Sequence, residues 1–260
     1  MRTVTDHLGR EVNYAYPPKR IVSFAPAITE TMYRLKLDEK IVGRTGFCIH
    51  PKDKVGQAKK VGGTKQVKLN RVHELQPDFI IVEKEENTKE MVEQLGQYYP
   101  VYCFEVQTVD DAYRMIHDLG DITDRNQEAA TLNRDIQSAF KKLPNITGTR
   151  AAYVIWKNPY MVAGGETYIN SLLQKIGFTN AFETYAGRYP EVTGEDFRQI
   201  NPDYIFLATE PYPFKEKHFD EFQAMMPAAK LDIIDGEMFW YGGRMLDAVS
   251  YFNEKLSQIK

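Results

Sequence analysis

Short apolar runs alternate along the chain with stretches of helical periodicity. Residues 21–24, 41–43, 79–82, 101–104, 153–155, 204–207 and 231–234 are rich in β-branched and aromatic side chains, without the polar alternation of a half-wet strand. Such runs predict strands buried on both faces. Helical segments between them make parallel sheets covered by helices the expected class, α/β.

One stretch occurs twice. LQPDFIIV at residues 75–82 returns as INPDYIFL at 200–207, with Pro77 and Pro202 an offset of 125 positions apart. In each copy a helix ends ahead of a proline that cannot continue it, and an Asp leads into a buried strand. Two copies of one unit predict two similar lobes, residues 1–121 and 145–260. Residues 122–144 between them form the connection, because Ala129, Leu132, Ile136, Phe140 and Leu143 recur at spacings of three and four. A helix over 124–143, stopped by Pro144 and Asn145, is roughly 30 Å long and spans a small domain as a strut.

Composition narrows the partners. The net charge of −3 at pH 7 offers no broad basic footprint for nucleic acid, and no apolar stretch is long enough to insert into a membrane. A small ligand or another protein is expected, bound by a monomer. Two cysteines, Cys48 and Cys103, exclude a disulfide framework and a four-cysteine zinc site but leave one bridge open. The first residues carry no basic head followed by an apolar run, so the sequence as it stands reads as cytoplasmic. Removal of a leader would instead make it periplasmic or exposed at the cell surface.

Enzyme signatures are missing. There is no G-x-S-x-G, H-E-x-x-H or G-x-G-x-x-G, and Gly62, Gly63, Thr64 and Lys65 lack the spacing of a phosphate loop. Aromatic residues gather instead after predicted strands, where α/β folds place their binding groups. These are Phe47 with Cys48 and His50, Trp156 with Tyr160, Tyr185 and Tyr189, and Phe239, Trp240 and Tyr241 before Gly242, Gly243 and Arg244. Flat rings with one polar edge suit a large, partly planar ligand, and Arg244 suits an anionic group on it, with Arg44 and Arg188 as further candidates. Cys48 and His50, two apart, share one face of an extended segment and are the metal-ligand candidates, though without a second pair. His7, His73, His117 and His218 read as surface residues.

Taken together, DHLGREV at residues 6–12, PKRIVSFAPAITETMYRL at 18–35, KKVGG at 59–63, both Pro-Asp strand starts, RYPEVTGEDF at 188–197 and WYGGR at 240–244 resemble the class III substrate-binding proteins of ABC importers. That family carries ferric siderophores, heme and cobalamin. The resemblance implies two Rossmann-like lobes joined by a single backbone helix, with a ligand cleft between them. Its ligand is a metal chelate or corrinoid that brings its own iron or cobalt, and the protein needs no cofactor. Phe47, His50, Trp156, Tyr160, Tyr189, Trp240, Tyr241 and Arg244 are the expected ligand contacts. In cobalamin-binding members a tryptophan and a tyrosine stand where this chain has Thr64 and Phe47, so the ligand does not carry over. The family also docks on its permease through one glutamate per lobe. Glu195 matches the second, whereas the first falls on Asn70, which the repeat offset pairs with Glu195. The expected function is the solute receptor of an ABC importer. The alternatives are a cytoplasmic carrier or sensor of such a ligand, a receptor for a free metal ion, and an enzyme of chelatase type built around His50.

Overall fold

The computed structural model describes residues 1–259, in two compact units. Unit 1 comprises residues 1–106, 110–137 and 241–243, and unit 2 comprises 107–109, 138–240 and 244 onward.

Unit 1 opens with an antiparallel pair, β1 (Arg2–Thr5) and β2 (Glu11–Tyr14), outside the main sheet. Then follow β3 (Ile21–Ser23), α1 (Pro26–Arg34), β4 (Ile41–Arg44), β5 (Lys59–Lys60), α2 (Leu69–Leu75), β6 (Phe79–Glu83), α3 (Lys89–Gly96), β7 (Val101–Phe104), and, apart from Val109 and residues 138–140, α4 (Val109–Thr123) and α5 (Asn126–Phe140). The sheet is parallel throughout, in the order β5-β4-β3-β6-β7. Every residue of β6 and β7 is buried, as expected for strands covered on both faces.

Unit 2 contains β8 (Arg150–Trp156), β9 (Tyr160–Val162), α6 (Tyr168–Ile176), β10 (Thr179–Asn180), β11 (Glu191–Val192), α7 (Gly194–Ile200), β12 (Tyr204–Ala208), α8 (Phe219–Met225), β13 (Lys230–Ile234) and α9 (Met245–Lys255). Its sheet runs β11-β9-β8-β12-β13, with β10 also paired to β8. β8, β12 and β13 are parallel, and β9 and β11 extend the sheet antiparallel. Phe182, Phe197, Phe214 and Phe222 fill the core against one face.

The sequence repeat is a structural repeat at the same offset of 125. It relates α2 to α7, Gln76 to Asn201, and β6 to β12. Gln76 and Asn201 both end their helices in the left-handed conformation, at φ 46° and 49°, and the prolines follow. Next come the two aspartates. Asp78 accepts the Lys19 and Arg20 N–H groups, each at 2.8 Å, and donates its own N–H to the Arg20 carbonyl. Asp203 accepts the Arg150 N–H at 2.7 Å and donates to the Arg150 carbonyl. Arg20 and Arg150 complete the clamp by donating their guanidinium N–H groups to the Leu75 and Ile200 carbonyls in the last turns of α2 and α7.

Three expectations change. The helix expected over 124–143 is shorter at both ends: Asp124, at φ 60°, lies between α4 and α5, and residues 141–143 form a turn. At 15 residues, α5 is roughly 22 Å long rather than 30. Nor is His7 a surface group: its side chain is 2% exposed, with Nε2 3.1 Å from Asp118 and Nδ1 3.1 Å from the Glu105 carbonyl. His218 is also buried, its Nδ1 accepting the Lys215 N–H. Among the described residues both cysteines are free and buried, so the bridge left open does not form.

The clamp predicts unequal costs. Hydrogen bonds to a charged acceptor contribute about 1.5–3 kcal/mol when sheltered and less in solvent. Asp78 holds two N–H groups and is half-buried, whereas Asp203 holds one and is exposed. Urea unfolding of Asp78→Ala is expected to show a loss of about 1.5 kcal/mol, and Asp203→Ala about half of that.

A second prediction comes from Glu83, at the end of β6. Its carboxylate accepts the Glu85 and Glu86 N–H groups at 2.7 and 3.0 Å, yet burial pushes its carboxyl up to about 7. The folded chain therefore keeps a proton that the unfolded chain releases near the ordinary value of 4.5. This contribution is fully present below that value and is lost as pH rises to about 7. Glu83→Gln removes the dependence. Between pH 4.5 and 8 its unfolding free energy should gain on that of the native chain by up to roughly 3 kcal/mol, measured in urea.

Candidate functional site

The richest cluster of binding chemistry lies at the C-terminal edge of the parallel strands of unit 2. Trp156 ends β8 with 39% of its surface exposed, and its ring meets Tyr212 edge-on at 5.6 Å. Tyr212 lies beyond the end of β12, and its N–H donates to the Ile155 carbonyl. Glu210, two residues earlier, accepts the indole N–H of Trp240. The Arg244 guanidinium lies 6.0 Å from the Trp240 ring centroid and 3.9 Å from the Asp247 carboxylate, and is itself buried. Gly236 lets the backbone after β13 come close to Glu210, since a Cβ there would stand 2.4 Å from the Glu210 Cγ. The result is a half-exposed tryptophan fixed at its polar edge by a carboxylate, with a cation beside its face. Such a ring keeps an apolar surface available while its N–H is satisfied.

The glycines of WYGGR have a steric purpose. Gly242 is at φ 78°, and a Cβ there would lie 2.1 Å from Thr31 Oγ1. That hydroxyl accepts the Gly243 N–H at 2.9 Å. Tyr241, just before this turn, is half-buried and belongs to unit 1.

In unit 1 the corresponding edge carries Phe47, in the turn after β4 and 62% exposed. Cys48 turns the other way. It is 1% exposed, with Sγ 3.2 Å from both Thr29 Oγ1 and Thr45 Oγ1, and burial raises its thiol pKa against those two bonds. A thiol held protonated in the core does not pair with the half-exposed His50 as a metal ligand. Among the described residues no group of three or more His, Cys, Asp or Glu is arranged to hold a metal ion. Arg44 is likewise committed, donating to the Val55, Thr45 and Cys48 carbonyls from a buried position.

The other sequence candidates divide. Tyr160 lies on the unit 2 core against Phe197 and Phe222, and its hydroxyl donates to Glu221, so packing fixes this ring. Tyr185 also packs on the core, donating to Asp196 at 3.2 Å. Tyr189 and Arg188 are half-buried in the loop before β11, with the Arg188 Nε donating to the Glu166 carbonyl at 3.0 Å. Glu195 opens α7 with 62% of its side chain exposed, 3.0 Å from the Arg198 Nε. Asn70 holds the repeat-equivalent position on α2 and is exposed. Trp156, Tyr160, Tyr189, Trp240 and Arg244 thus fall in unit 2, and Phe47, His50 and Tyr241 in unit 1. The sequence reading missed Glu210 and Tyr212. The repeat could have found them, since β12 matches β6 and the residues just past a parallel strand are where binding groups gather.

Relatives and neighbours of known structure share this build. Residues 21–230 match the model of the periplasmic binding protein family. A vitamin B12-binding protein of Vibrio parahaemolyticus is 29% identical over 197 residues, which cover 74% of this chain and 71% of that protein. The periplasmic vitamin B12 binding protein BtuF of Vibrio cholerae superimposes with a TM-score of 0.74 at 22% identity, covering 94% of this chain and 99% of that one. The periplasmic heme-binding protein BhuT, in complex with two hemes, gives a TM-score of 0.78 at 22% identity, covering 93% and 98%. With the family model matched over most of its length and the motif resemblance to class III receptors in agreement, the chain belongs to the periplasmic binding protein family.

Proposed function

We propose that this chain is the solute receptor of an ABC importer and that it binds a corrinoid or metal chelate, such as heme or a ferric siderophore, without changing it chemically. The observation that carries this reading is the fixed, half-exposed Trp240, flanked by Glu210 and Arg244 at the sheet edge of a chain related to vitamin B12-binding proteins. Trp240 and Trp156 offer ring faces to a broad ligand, and Arg244 answers an anionic substituent on it. Phe47, His50, Tyr189 and Tyr241 are the remaining proposed contacts. The ligand brings the metal, so the protein supplies shape and charge but no metal ligands of its own. The receptor works as a monomer in the periplasm or at the cell surface.

Docking on the permease is assigned to Glu195. Among the described residues its partners are on its own helix, Arg198 at 3.0 Å and Gln199 at 3.4 Å. An exposed pair of this kind contributes little, so exchanging Arg198 for a partner's arginine costs little.

Both tryptophans of the chain are among the proposed contacts, so intrinsic fluorescence reports binding directly. Titration with cyanocobalamin, hemin and a ferric siderophore should give saturable quenching with one of them, and the ligand recovered afterwards should keep its visible spectrum. Trp240→Ala should weaken that binding roughly tenfold, the effect of losing about 1.4 kcal/mol of ring contact, with Trp240→Phe restoring most of it. No quenching by any of the three, or a ligand returned altered, would remove the reading. For docking, capture by the host's importer membrane component in detergent should fall about tenfold or more for Glu195→Lys, as for other close interfacial charge pairs. An unchanged yield would exclude Glu195.

A further inference from the structure

The two copies of the repeat carry opposite charge at the same place. Residues 59–71 hold Lys59, Lys60, Lys65, Lys68 and Arg71 and no Asp or Glu. The repeat-equivalent residues 184–196 hold Glu191, Glu195 and Asp196 against one cation, Arg188. Arg71 thus stands where the second copy has Asp196, on helices of matching bounds.

In unit 1 this basic segment is folded around a pocket of about 240 Å³, lined by Lys60, Lys68 and Arg71 together with Gly62, Gly63, Gln66 and Val67. No carboxylate lines it among the described residues. The backbone fixes its shape. Gly63 N–H donates to the Gln66 carbonyl and Lys68 N–H to the Val61 carbonyl, and Gly62 sits at φ 145°, where a Cβ would come 2.3 Å from the Gln66 oxygen. One guanidinium nitrogen of Arg71 donates to the Lys60 carbonyl at 3.2 Å, which ties the two sides together and leaves further donors on the same group. All three cationic side chains are exposed, and among the described residues none of them forms an ion pair.

Cations left together without counter-charge repel one another, and a site that gathers them gains when an anion arrives. We propose that this pocket is a docking surface for a carboxylate-rich segment of a protein partner, one acidic side chain entering between Lys68 and Arg71 while its neighbours meet Lys60. A concave site of side-chain size favours a peptide over the flat surface of an anionic membrane. The surface uses none of the residues assigned to the ligand, so it stands or falls apart from that assignment.

The test is a titration of the ¹⁵N-labelled full chain with hexaglutamate, following the amide signals of Gly62, Gly63 and residues 66–71. Saturable shifts confined to this segment are expected, weakening as ionic strength rises from about 0.05 to 0.5 M. Lys68→Glu/Arg71→Glu should lose about tenfold or more in affinity, as should the milder Lys68→Gln/Arg71→Gln. The exposed control Lys141→Glu/Lys142→Glu carries the same charge change elsewhere and should stay within about twofold. Equal losses in control and pocket variants would overturn the proposal, as would shifts reproduced by inorganic phosphate at the same concentration. It would fall equally if phosphatidylglycerol vesicles bound where hexaglutamate did not, or if hexaglutamate left these signals unmoved.

Discussion

Both sheets depend on one polar clamp. A parallel strand cannot be aligned with its neighbour by a tight hairpin, so something else must fix where each begins. In this chain an aspartate past a proline takes the N–H at the start of the central strand and returns its own N–H to the same residue. The arginine at the head of that strand satisfies a carbonyl in the last turn of the helix ahead of the aspartate, one of the acceptors every helix leaves without a partner. The result is pairing of Ile21 with Phe79 and of Ala151 with Tyr204. A slip of one residue would turn every side chain of β6 or β12 to the opposite face. With their beginnings fixed, the far ends of these strands are fixed as well, and those ends hold Glu83 in unit 1 and the Glu210–Tyr212 loop in unit 2.

What distinguishes the two edges is the use made of buried polarity. In unit 2 the Glu210 carboxylate is spent on an indole N–H, which orients a ring without consuming its face. The Tyr160 hydroxyl meets Glu221, but there the ring itself lies on the core between Phe197 and Phe222. The same residue class therefore serves packing in one place and an open edge in the other. The carboxylate alone does not decide which, because the ring's remaining neighbours do. In unit 1 the polar groups under Phe47 close inward: Thr29, Thr45 and Arg44 hold the Cys48 segment, which leaves Phe47 outside as its exposed member.

The buried strands were legible because burial on both faces demands apolar runs, and such runs survive in any context. The repeat was legible for the same reason, since helix, proline, aspartate and strand lie contiguously in the chain. Arg20 and Arg150 were not, because they complete the two clamps from outside the repeated stretch and at a different offset. β9, β11 and the β1–β2 pair escaped because all are short, three residues of Tyr-Met-Val in β9, and β11, β1 and β2 also mix polar with apolar positions. The helix expected over 124–143 lost both ends, residues 124–125 to the left-handed Asp124 and 141–143 to a turn, as periodicity records which face is buried and not where the backbone stops. His7 and Cys48 show the limit for site residues. A histidine among polar neighbours in sequence became a buried one through Asp118, far along the chain, and a two-residue spacing could not reveal that Thr29 would claim the thiol.

The charge reversal between the copies follows from where the constraints lie. The proline, the aspartate, the left-handed helix cap and the buried strand are tied to register and core, so both copies keep them. The surface positions Asn70 and Glu195 touch neither, and substitutions at such sites change stability by only a few tenths of a kcal/mol. Thr193 and Asp196 cap α7 reciprocally, a contribution of about 1 kcal/mol that Lys68 and Arg71 forgo at the start of α2, so the divergence there costs little more than one helix cap. A net charge of −3 conceals this, because a sum over the chain cancels a basic segment against an acidic one. What a partner meets is the local field, which decays within about 8–10 Å at ordinary salt, so the basic pocket acts on its surroundings as a cation whatever the total. Surfaces on which the fold makes only small demands are thus where two copies of one architecture can come to recognise opposite chemistry.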